Sequence, residues 1–212
     1  MTDAPRPKTR ARSAHDREAA RDRLCQVAAG LFAEHGAEGF SMRRLAEAAG
    51  CSAMAPYRYF PDKDSLLAAV RAEAFDRFAD ALEGVKKEGR RRASDIGEAY
   101  VRFALDNPQA YKLMFDVSQP DEARFPDLVR ASSRAGAGMT GYVRELVDAG
   151  VLAGDPDLIG YALWAAIHGV IVLALAGKLP DEPGFEAIRL ATVGAVMRGF
   201  RPGGGRSMIG PA

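Results

Sequence analysis

SMRRLAEAAGCSAMAPYRYFPDK, residues 41–63, is the stretch on which the reading of this chain turns. Ser41 is placed to cap a short helix whose apolar residues Met42, Leu45, Ala46 and Ala49 fall at helical spacing. Gly50 follows, where a helix end calls for a left-handed residue. Ser52 is predicted to cap a second short helix carrying Tyr57 and Tyr59, and Asp62 a third that opens with Lys63. Short helices joined by a tight glycine turn predict a helix-turn-helix. Hydroxyls and a cation at successive helix starts suit a DNA backbone, because unpaired N–H groups there favour phosphate.

Outward from this stretch, nearly every segment has helical periodicity and none sustains the alternation of a strand. The fold class expected is all-α. Residues 1–15, with Arg6, Lys8, Arg10 and Arg12 against Asp3, read as a flexible basic arm able to meet an acidic partner. A first helix over 17–35 has Leu24, Val27, Ala28, Leu31 and Phe32 on one face. Residues 16–62 form the predicted helix-turn-helix domain, 63–200 a second helical domain and 201–212 a flexible tail. Within the second domain, helices are predicted over 62–87, 93–106, 108–115, 126–149, 155–177 and 184–200. Asn107-Pro108 ends one of them, since the residue before proline resists the α region. Lys86, Lys87, Arg90, Arg91 and Arg92 make a second basic cluster at a helix–helix connection.

Composition narrows the function. The chain has 212 residues, 48% of them hydrophobic, and a net charge of +1, so total charge does not make it a general polyanion binder. Cys25 and Cys51 form neither a disulfide framework nor a zinc pattern, and they fit a reducing cytosol. The first residues lack the apolar core of a signal peptide, so a cytoplasmic protein is expected. Residues 158–177, LIGYALWAAIHGVIVLALAG, carry no Asp, Glu, Lys or Arg and reach bilayer length. A buried helix at a dimer seam is the reading preferred over a membrane span, because His168 and three glycines interrupt the stretch and no polybasic flank orients it. Leu158, Ile167, Val170, Ile171, Leu190, Val193 and Val196 are the seam predicted on the last two helices. No nucleophile–base pairing and no metal-ligand spacing emerges, so neither an enzyme nor a cofactor is expected.

Residues 17–70 resemble the DNA-binding domain of the tetracycline-repressor (TetR) family of bacterial regulators. The matching features are Ala28-Ala29 with Leu31-Phe32, Gly36, Ser41-Met42-Arg43, Leu45-Ala46, Ala49-Gly50, Ser52, Tyr57-Arg58-Tyr59-Phe60, Asp62-Lys63 and Leu66-Leu67. Asn107-Pro108 with Tyr111-Lys112-Leu113-Met114-Phe115, and Trp164 with His168-Gly169, look like one branch of the family's C-terminal domains. The resemblance implies an all-helical homodimer on a palindromic operator, a ligand pocket in the C-terminal domain, and repression relieved by a small molecule. A regulator without a small ligand, or a membrane-anchored sensor, are the alternatives.

The residues expected at DNA are Ser41, Arg43, Arg44, Ser52, Ala53, Met54, Tyr57, Tyr59 and Lys63. The resemblance gives Tyr57, Tyr59 and Lys63 to phosphates. Ala53 and Met54 offer methyl contacts to thymine but no bidentate hydrogen bonds, which shifts direct base reading toward Arg43 or Arg44. In the second domain Tyr100, Phe103, Tyr111, Met114, Phe115, Tyr142, Trp164 and His168 are the candidate ligand wall, as large or polarisable side chains around few polar groups. For each, core packing is the competing role.

Overall fold

The computed structural model describes residues 8–36, 39–86, 89–115 and 121–203, with the side chains of 8–14 and 89–90 left aside. Eight α-helices and two 3₁₀ turns succeed one another among them, and the fold is all-α. They are α1 (Lys8–His35), α2 (Met42–Ala48), α3 (Lys63–Glu83), α4 (Gly89–Asp106), α5 (Pro108–Phe115), α6 (Pro126–Asp148), α7 (Pro156–Leu175) and α8 (Gly184–Gly199). The turns lie at Pro56–Arg58 and Glu122–Arg124.

Two compact units divide the chain. The first holds residues 1–73 and 112–129, the second 74–111 and 130–212. This differs from the expected boundary at residue 62: the first unit also takes the start of α3 and the segment after Tyr111. The arm is a second difference. Helix α1 begins at Lys8, because residues 8–23 are rich in Ala and Arg and hold no proline once Pro7 is passed. The expectations for residues 1–7 and for the tail beyond 203 lie outside the described residues.

In the first unit, α1, α2 and the start of α3 enclose one apolar core. Leu24, Ala28, Phe32, Leu45, Phe60 and Leu66 are buried there, and the Phe32 and Phe40 rings stack 4.2 Å apart. Each large side chain so buried contributes about 1.5–3 kcal/mol. From 112–129, Leu113 packs against this core. Arg71, only 4% exposed, pins that segment: its Nη2 donates to the Met114 carbonyl at 3.1 Å and to the Glu122 carboxylate at 2.7 Å.

In the second unit, α7 packs on α4 and α8. Asp155 caps α7 by accepting from the Asp157 N–H, and Pro156 takes the first helical position, as the sequence predicts. Ile159, Leu163, Ile167, Val170 and Ile171 bury one face of α7. Gly160 lies against Thr140 of α6 so closely that a Cβ there would come within 2.7 Å of the threonine Cβ. The unit also carries an ion-pair ladder. Arg130 and Arg134 of α6 face Asp76, Asp80 and Glu83 of α3, with Arg130 meeting Asp76 at 2.9 Å and Arg134 meeting Asp80 at 2.6 Å.

The expected seam needs correcting. Ile167, Val170 and Ile171 belong to the core of the unit, and Val193 and Val196 are half-buried against it. Leu158 and Leu190 do stay exposed, joined by Tyr161, Val172 and Leu173. Helix α7 is long and apolar enough to cross a membrane, and a third of it is buried within the chain. Helical periodicity names the apolar residues, but a helix that is apolar all round does not say which face its neighbours cover.

Candidate nucleic-acid interface and ligand cavity

The reading head begins at Ser41, whose extended backbone and side-chain oxygen, 3.2 Å from the Arg44 N–H, cap α2. Gly50, at φ +67°, turns the chain left-handed after α2, and the Cys51 N–H reaches back to the Ala46 carbonyl at 3.0 Å. From Ser52 to Tyr59 the backbone is wound more tightly than the short helix expected there. Ser52 opens a turn through its backbone carbonyl, which accepts from the Ala55 N–H at 2.9 Å, and the helical part shrinks to one 3₁₀ turn at Pro56–Arg58 with no side-chain cap. Pro56 removes the N–H that a longer helix would use, and its ring is buried as the anchor of the turn. Asp62 caps α3 as predicted, accepting from the Ser65 N–H at 2.7 Å and hydroxyl at 2.6 Å. These bonds hold its carboxyl below the ordinary value.

Around that anchor the expected DNA residues sort by depth. Ser41, Arg43, Arg44, Ser52, Ala53, Met54 and Tyr57 are exposed, Met54 at 68% and Tyr57 at 45%. Tyr59 is half-buried against the apolar core, and Phe60 fills that core. Lys63 is half-buried at the start of α3, its ammonium 5.9 Å from the Phe40 ring centre. Arg43 pairs with Glu47 at 3.0 Å, and Arg44 donates to the Gly39 carbonyl at 2.7 Å. Arg58 is a further exposed cation beside Tyr57 that the sequence reading passed over. Its signal was a cation between two tyrosines.

The second unit encloses a cavity of about 250 Å³ among α4, α6, α7 and α8. Of the candidate ligand residues, Tyr100, Tyr142 and Trp164 line it. Phe103, Tyr111 and His168 do not. Phe103 packs on Phe78, ring centres 5.0 Å apart. Met114 and Phe115 fall in the first unit, where Met114 is buried. The sequence missed Ser94, Glu98 and Arg189 in the wall. Charged residues on amphipathic helices read as solvated, yet Arg189 is only 6% exposed. It pairs with Glu98 at 2.7 Å and with Glu186, and these carboxylates raise its pKa against the cost of burial.

A chain of hydrogen bonds leads away from the cavity wall. Trp164 Nε1 donates to the Tyr100 hydroxyl at 3.0 Å, Tyr100 and Tyr111 hydroxyls lie 2.7 Å apart, and Tyr111 meets His168 Nδ1 at 2.6 Å. Burial pushes the Tyr100 hydroxyl up to about 12 and lowers His168, so both are neutral at pH 7. Tyr142, also pushed up to about 12 by burial, makes no hydrogen bond among the described residues. No cluster of three or more potential metal ligands occurs among them either.

The fold and the exposed turn define a helix-turn-helix DNA-binding regulator with a helical C-terminal unit. Residues 24–70 match the family of bacterial regulatory proteins of the tetR type, and residues 93–195 the tetracyclin repressor-like C-terminal domain. The chain belongs to the TetR family. It is 25% identical over 144 residues to the HTH-type transcriptional regulator Rv1816 of Mycobacterium tuberculosis, covering 66% of this chain and 60% of that protein. It is 40% identical over 95 residues to the HTH-type transcriptional repressor AcnR of Corynebacterium glutamicum, covering 44% and 45%. The alignments thus span less than two thirds of these relatives. A solved structure of a protein of unknown function from Rhodococcus sp. RHA1 superposes with a TM-score of 0.74 at 29% identity, over 86% of this chain and 96% of that one.

Proposed function

We propose that the chain is a homodimeric transcriptional repressor that leaves a palindromic operator when a small molecule occupies the cavity of its second unit. The observation that carries the DNA-binding part is the exposure of Met54 and Tyr57 above the buried Pro56. That arrangement presents a rigid head with its base-facing and phosphate-facing side chains in solvent. Ser41, Ser52, Tyr57 and Lys63 contact phosphates, Arg43 and Arg44 reach base edges, and Ala53 and Met54 meet thymine methyls. Tyr59, half-buried, contributes its hydroxyl edge. Two heads about 34–36 Å apart then fit successive major grooves.

The exposed apolar residues on α7 and α8 support the dimer. Leu158, Tyr161, Val172 and Leu190 stand in solvent in the single chain and are covered by a second copy. The role of AcnR, a transcriptional repressor by name, supports repression rather than activation. A protein working on chromosomal operators acts in the cytoplasm, and nothing in the site calls for catalysis. Repression is relieved only if the effector binds the non-DNA conformation more tightly than the DNA-bound one.

Binding of the purified protein to the DNA upstream of its own gene tests this, titrated with salt. The expected result is a shifted complex of two chains per site, with log K falling by about 0.9 per neutralised phosphate. A monomer that ignores duplex DNA at low salt would reject the reading.

A further inference from the structure

The cavity has a chemistry that narrows its ligand. We propose that it takes a compact aromatic cation, a single ring carrying a protonated or quaternary nitrogen. This inference rests on the ligand-responsive reading above and adds the class of effector. Three aromatic side chains, Tyr100, Tyr142 and Trp164, stand in one wall system of about 250 Å³, which suits one ring with a small substituent. Their ring faces carry negative potential, the feature by which aromatic cages hold ammonium groups.

The charges in the wall point the same way. The wall holds two charged groups, Glu98 and Arg189, and Arg189 is met as well by Glu186, which does not line the cavity, so the three together carry one net negative charge. The two signs are not equally accessible. The Glu98 side chain is 51% exposed, whereas that of Arg189 is 8% exposed. A ligand entering the cavity therefore meets a carboxylate rather than a guanidinium. A carboxylate ligand would add a third anion around one arginine, with repulsion that a poorly screened site does not offset. The neighbouring His168 adds no positive charge, since it is held neutral and its Nδ1 is taken by Tyr111. The Tyr142 hydroxyl supplies an acceptor for an ammonium N–H or, equally, a donor to a ring substituent.

Trp164 is the single tryptophan of the chain and lines this cavity, so its emission reports on the cavity wall. The full-length protein is titrated with benzyltrimethylammonium, benzyl alcohol and phenylacetate, which share one ring and differ in charge. The expected result is saturable change of Trp164 emission, about tenfold or more tighter for the cation than for the alcohol, and none for the anion. Glu98→Gln is expected to erase the preference for the cation, and Tyr142→Leu, which removes one aromatic face, to reduce it. Thermal unfolding run on both variants shows that they are folded. Equal affinities for all three probes, tighter binding of phenylacetate, or no response to the cation would overturn the proposal. So would a preference unchanged in folded Glu98→Gln. Release from operator DNA by an uncharged or anionic molecule alone would overturn it too, while leaving the ligand-responsive regulator standing.

Discussion

The hydroxyl of Tyr111 lies 2.6 Å from Nδ1 of His168, and this bond ties α5 to α7 inside the second unit. With the imidazole proton on Nε2, His168 accepts from Tyr111, Tyr111 from Tyr100, and Tyr100 from Trp164. Every hydroxyl in the chain is then satisfied in one direction, which Trp164 sets because an indole N–H only donates. Tyr111 is 1% exposed, so its hydroxyl has no water to fall back on. Tyr111→Phe takes the acceptor from the buried Tyr100 hydroxyl and the donor from His168 Nδ1, and is expected to cost about 1–3 kcal/mol. Urea unfolding of the variant measures this; a loss well below that range would mean the partners find each other or water.

The same pair sets a pH dependence. His168 has a folded pKa below its unfolded value, so the unfolded chain binds the proton first as pH falls. Its contribution is therefore fully present above about pH 6.5 and declines below it. His168→Asn, tested by unfolding between pH 5 and 8, is expected to flatten that slope. A slope as steep as the parent's would place the titrating group elsewhere.

A second loss is expected in stronger acid. Hydrogen bonds from Arg130 and Arg134 hold the Asp76 carboxyl below the ordinary carboxylate value. A depressed carboxylate stabilises the fold above its unfolded pKa, about 3.9, and the contribution disappears as pH falls through the folded value. Asp76→Asn is thus expected to lower the melting temperature at neutral pH and to narrow its gap from the parent toward pH 3. A gap that stays constant would show that the ladder of α3 and α6 acts through packing alone.

On DNA, Lys63 and Arg43 are expected to fail differently. If Lys63 makes the phosphate contact proposed for it, Lys63→Ala weakens specific and random duplexes alike and reduces the salt slope by about 1. If Arg43 reads a base edge as proposed, Arg43→Ala costs about 1–3 kcal/mol on the operator only. In the free protein Arg43 is paired with Glu47, so Glu47→Ala is expected to release it and to change preference in the opposite sense. Equal losses on both duplexes for Arg43→Ala would remove it from base reading.

The exposed apolar face makes a prediction about assembly. Leu158→Glu together with Val172→Glu puts charges on the strip of α7 that the protomer's core does not cover. The double variant is expected to sediment as a monomer with an unchanged helical signal and to lose operator binding. A persistent dimer would move the seam to another surface.

Much of the first unit was legible in the chain because its signals are local. A cap at Ser41, a left-handed residue at Gly50 and a cap at Asp62 each act through bonds to residues three or four positions away, so their spacing alone declares them. The 3₁₀ turn at Pro56–Arg58 was less legible. A proline at a helix start is compatible with either helix type, so the tighter turn is seen only in the folded chain.

By itself, then, the order of residues dictated an all-helical chain, the ends of most of its helices and the stretch that reads as a DNA-binding head. Tertiary structure alone decided which aromatic side chains face a cavity and which fill a core. Tyr100 and Phe103 share a helix and both pack on Phe78, yet only Tyr100 also lines the cavity. The helical repeat specifies a residue's angle around its own axis, whereas depth depends on which neighbours arrive from distant segments. The same holds for the buried Arg189, whose partner Glu98 lies 91 positions away, a separation that no local pattern encodes.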